Sequence, residues 1–86
     1  MNDNEVYQAA SAFVNLANEL NKTYAEPSVI HGLTFAAARY QASNFISLGG
    51  RPEHEAQTID RLCDLFRQML RSNLDNIREM EAAKSR

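Results

Sequence analysis

The sequence predicts an all-α protein: three helices per chain, forming a small helical bundle that dimerisation completes. Three observations carry that reading. Apolar residues recur in steps of three and four, the period of a helix face rather than a strand. Two punctuation points, Glu26-Pro27-Ser28 and Gly49-Gly50-Arg51-Pro52, cut the chain into long segments. Each places a proline near a helix start, where its missing N–H costs little. Finally, 3 glycines and 2 prolines in 86 residues are too few for a loop-rich chain, and no β-hairpin signal stands out. The helices are expected at about 3–25, 28–48 and 52–83 of a single domain, 1–86.

The first helix opens on Asn2 with Glu5 three residues later, which resembles a capping box with Asn in place of Ser or Thr. Val6, Ala10, Phe13, Ala17, Leu20 and Tyr24 then form one apolar stripe, with Tyr7 and Val14 on its flank. Gln8, Ser11, Asn15, Asn18 and Lys22 make the solvated side.

The second helix has a different pattern. Val29, Leu33, Ala36, Ala37, Tyr40 and Leu48 occupy one face, and Phe35, Ala38, Ala42, Phe45 and Ile46 the opposite one. Narrow seams separate them: Gly32, Arg39 and Ser43 on one side, Thr34 and Gln41 on the other. A helix that is apolar on opposite faces is packed on both. Two neighbours within one chain cover adjacent faces more easily than opposite ones. A homodimer is therefore expected, with the second helix near its centre. The expected interface comprises Tyr7, Val14, Phe35, Ala38, Ala42, Phe45 and Ile46. The competing arrangement is a monomer in which helices 1 and 3 straddle helix 2.

The third helix carries Ile59, Leu62, Cys63, Phe66, Met69, Leu70, Leu74, Ile77 and Met80 within an arc of roughly 140°. The opposite arc holds Asp60, Asp64, Arg67, Arg71, Asp75 and Arg78, with Asp64–Arg67, Arg71–Asp75 and Asp75–Arg78 at pairing distance. Glu53 and Glu55 at its start and Lys84 and Arg86 at its end suit the helix macrodipole. Whether the helix continues past Ser72-Asn73 is not decided by its sequence.

No catalytic constellation is visible, and no cofactor is implied. Glu53-His54-Glu55 cannot close on one metal ion, because adjacent helical residues point some 100° apart. His31 is expected to be partly buried and hydrogen-bonded, and Cys63 to be a small buried hydrophobe. Gly49-Gly50 lacks the Lys and Ser/Thr of a phosphate-binding loop. Arg39 is the one charged residue between Glu26 and Arg51. It either forms a structural salt bridge, to an acid on helix 1 or 3 or to its symmetry mate, or clamps an anion with Gln41 and Asn44 as polar neighbours.

Composition excludes further classes. Net charge is −2, and acids interleave with the arginines of the third helix, so no nucleic-acid interface is expected. A lone cysteine favours a reducing compartment, and Met1-Asn2-Asp3-Asn4-Glu5 lacks the features of a signal peptide. No segment is apolar enough for a lipid-facing span, so a cytoplasmic protein is expected.

The run Ala36-Ala37-Ala38-Arg39-Tyr40-Gln41-Ala42-Ser43-Asn44-Phe45, preceded by Phe13-Val14-Asn15-Leu16-Ala17-Asn18, resembles a family of short bacterial helical proteins catalogued only as a domain of unknown function. Phe66-Arg67-Gln68-Met69 and Asn73-Leu74-Asp75 are similar to its C-terminal half. The resemblance implies a bacterial origin and a compact helical fold, and supplies no activity or catalytic residues. The expected role is a protein–protein interaction or accessory module acting as a homodimer. The alternative is a small anion-binding protein using Arg39, Gln41 and Asn44.

Overall fold

A computed structural model of the chain describes residues 2–85. Helices dominate, and no strand occurs among the described residues. The elements are α1 (Asp3–Leu20), α2 (Glu26–Ser47), a 3-10 turn at Pro52–His54 and α3 (Glu55–Lys84). The chain divides into two compact units, the first ending at Leu48 and the second starting at Gly49.

In the first unit, α1 starts on Asn2, whose extended backbone (φ −99°, ψ 119°) leaves its side chain free to cap. Its Oδ1 accepts from the backbone N–H of Asn4 at 2.9 Å, whereas a capping box would place that bond on Glu5. The helix also ends sooner than its apolar pattern suggests, at Leu20 instead of about residue 25. The chain reverses here, and the last carbonyls are satisfied by tightened bonds: the Lys22 N–H donates to Glu19 O (3.2 Å) and the Thr23 N–H to Leu20 O (3.0 Å). Tyr24 thus continues the spacing of the stripe without being helical. Ala25 is extended (ψ 144°) and caps α2 with its carbonyl, which accepts from Ser28 and Val29. Because Pro27 is tolerated in the first turn, α2 begins at Glu26, two residues before the expected start. α1 and α2 are in contact. Val29, in the first turns of α2, is the one buried apolar residue among those described.

The second unit opens with Gly49 at φ +84°, the left-handed position that commonly follows a helix and that glycine adopts without strain. Arg51 is extended, and its Nε lies 2.7 Å from Glu53 Oε1. Pro52 starts a single 3-10 turn, closed by the His54 N–H donating to Arg51 O at 2.9 Å. The expected helix from residue 52 therefore begins as 3-10, and His54, near φ −104° and ψ −1°, marks the change to α geometry at Glu55. From there α3 runs unbroken for 30 residues, through Ser72-Asn73. Asn73 does not interrupt it, because its Nδ2 donates back to the Met69 carbonyl at 2.8 Å, one turn earlier. Lys84 stands in the last turn as the macrodipole favours; Arg86, expected beside it, lies outside the described residues. Among the described residues, no helix is long and apolar enough to cross a membrane.

Candidate functional site

The apolar faces of the helices are the chain's most distinctive surface. On α2, the face that begins with buried Val29 opens progressively along the helix: Leu33 is 47% exposed, Tyr40 78% and Leu48 79%. Across the helix, Phe35 (71%) and Ile46 (69%) are equally bare, Ala38 and Ala42 are exposed, and Phe45 is half-buried. Tyr7 and Val14 of α1 are also exposed. Of the residues expected at an interface, all but Phe45 are exposed.

In α3 the two arcs separate as their sequence indicates. Arg67 Nη1 lies 2.6 Å from Asp64 Oδ1, Arg71 Nη2 3.0 Å from Asp75 Oδ1, and Arg78 Nη1 4.0 Å from the same Asp75 oxygen. All five side chains are more than half exposed, so each pair contributes no more than about 0.2–0.5 kcal/mol. The opposite stripe is uncovered: Ile59, Phe66, Ile77 and Met80 are all more than half exposed.

The residues weighed for chemistry are placed as follows. Arg39 is exposed, and among the described residues of its own unit no ion pair to an acid of α1 occurs. On a continuous helix Arg39 and Gln41 sit roughly 160° apart, with Asn44 on the Leu33 side, so one chain does not gather the three around one ligand. Two shallow depressions occur elsewhere, one along α3 by Gln57, Asp60, Arg61 and Gln68, the other along α1 by Asn4, Gln8, Ser11 and Asn15. His31 and Cys63 are both exposed, contrary to the expected partial burial of the one and burial of the other. The reason is common to them: amphipathic spacing identifies the face that seeks cover, and within its own unit each helix finds little. No group of three His, Cys, Asp or Glu side chains suited to a metal ion occurs among the described residues.

Three exposed apolar residues fall outside the expected faces or their interface: Leu16 (56%), Ile30 (54%) and Leu65 (45%). Their only signal in the sequence is an apolar residue off the stripe, which single exposed leucines make common on any surface.

These features define a small all-helical protein with exposed apolar helix faces. Residues 6–77 match the model of a family described as "Protein of unknown function (DUF3144)", and the chain belongs to that family. No curated protein and no solved structure matches the chain.

Proposed function

We propose that the chain is an interaction or accessory module that acts as a homodimer, with α2 near the centre of the assembly. One observation carries this reading: α2 exposes large apolar side chains on both sides, Tyr40 and Leu48 on one, Phe35 and Ile46 on the other. Contiguous exposed apolar surface of this kind marks association sites in soluble proteins. A second copy related by a two-fold axis is the simplest way to cover it. Tyr7 and Val14 extend the same interface from α1. A reducing compartment such as the cytoplasm suits the exposed, unpaired Cys63 thiol.

The test is sedimentation equilibrium of the full chain at micromolar concentration. A dimer mass is expected, with Phe35→Glu and Ile46→Glu each shifting the mass towards that of one chain. Both substitutions fall at exposed positions, so circular dichroism should still report helix. A monomer mass for the unaltered protein would overturn the reading.

A further inference from the structure

The apolar stripe of α3 has a heptad pattern that its amphipathicity alone does not require. Ile59, Phe66, Asn73 and Met80 recur at every seventh position, and Cys63, Leu70 and Ile77 form a second series of the same period. The two series alternate in steps of four and three, as the d and a positions of a coiled-coil seam do. Leu62 and Met69 flank the seam on one side. Of the ion-paired residues, Asp64, Arg71, Asp75 and Arg78 occupy outer positions, while Arg67 and Glu81 flank the seam. Among the described residues of its own unit, α3 has no second α-helix to cover the seam.

We propose that α3 pairs with α3 of a second copy as a parallel, in-register two-stranded coiled coil, with Asn73 setting the register. The inference rests on the homodimer reading above and adds to its α2 interface a second contact, α3 against α3. Area and the polar residue in the seam support it. About eight large apolar side chains, each removing roughly 60–120 Å² from water on burial, match the ~800 Å² that each partner gives to a standard interface.

Asn73 decides the orientation. Its hydrogen bond to Met69 O uses only one of the amide's hydrogen-bonding positions, so a buried Asn73 needs further partners. In a parallel pair, Asn73 faces Asn73 of the other copy, and the two amides can bond each other. In antiparallel seams the layers put Asn73 opposite Leu70, Ile77, Cys63 or Lys84 of the other copy, none of which is an amide. Charge does not decide between the orientations. Of the two antiparallel registers with most overlap, one brings Asp60 beside Glu81 of the second copy, twice over, and the other brings Arg67 beside Arg67. The parallel register sets Leu62 beside Arg67 and Asn76 beside Glu81, and brings Lys84 against Lys84 of the second copy in the last turn.

The experiment treats the full chain, at a concentration where sedimentation has fixed its mass, with a short bis-maleimide that joins thiols only when they are close. In the parallel register Cys63 lies against its counterpart, so most of the native protein should cross-link to a covalent dimer. A chain carrying Cys63→Ser and Ile77→Cys should do so equally. An antiparallel seam places at most one of these two positions beside its own counterpart. A dimer that cross-links at one position or at neither overturns the parallel register while leaving the homodimer reading in place. A monomer overturns both. Asn73→Leu supplies the second arm: the dimer should resist heat better, and its cross-linking should spread to other registers. An unchanged dimer would remove Asn73 from the role assigned to it.

Discussion

Val29 and Tyr40 share one face of α2, about three turns apart, yet Val29 is 9% exposed and Tyr40 78%. The same stripe is thus closed where the chain reverses into α2 and open further along. Val29→Ala should therefore cost about 1–2 kcal/mol at any protein concentration. Tyr40→Ala should cost less than about 0.5 kcal/mol in dilute solution and more where the chain self-associates. Urea unfolding followed at two concentrations checks both. Equal costs for the two variants at both concentrations would refute the difference.

Gly49 and Gly32 form a matched pair for a second prediction. A Cβ at either would meet nothing within 4 Å, so packing does not distinguish them. Backbone conformation does: Gly49 has φ +84°, whereas Gly32 lies inside α2. Gly49→Ala should destabilise by about 1 kcal/mol, and Gly32→Ala should stabilise by up to about 1 kcal/mol. Thermal melts of the two variants should move in opposite directions.

The ion pairs of α3 should matter little. Asp75 lies 3.0 Å from Arg71 and 4.0 Å from Arg78, but all three are solvated. Asp75→Asn is expected to change stability by less than about 1 kcal/mol, with the effect shrinking further in 0.5 M salt. A larger loss, read by chemical denaturation at two salt concentrations, would show that these charges meet something besides one another.

Arg39 offers a direct separation of interaction module from anion binder. Since Gln41 and Asn44 do not converge with it, adding phosphate or small carboxylates should leave the melting temperature of wild type and Arg39→Ala equally unmoved. A shift seen in the wild type and lost in Arg39→Ala would favour the anion-binding alternative.

Much of the local structure was legible in the sequence for physical reasons that act over a few residues. Pro27 and Pro52 mark element starts because they lack an N–H, and Gly49 closes α2 because it alone tolerates the left-handed position. The pairs of Asp64 with Arg67 and of Asp75 with Arg71 and Arg78 follow from helical spacing. The early end of α1 was less legible, because Tyr24 keeps the stripe's spacing while the backbone has already turned. A period reports which side of a helix is apolar and not where the helix stops.

The sequence by itself determined the three helices, their caps to within a few residues, and which face of each is apolar, since propensity, punctuation and periodicity are properties of neighbouring residues. Tertiary structure decided what those faces meet. Val29 is buried, while Phe35, Cys63 and Arg39, on equally regular helices, are not. Burial depends on which surfaces come together in space, and no spacing along a single helix contains that information.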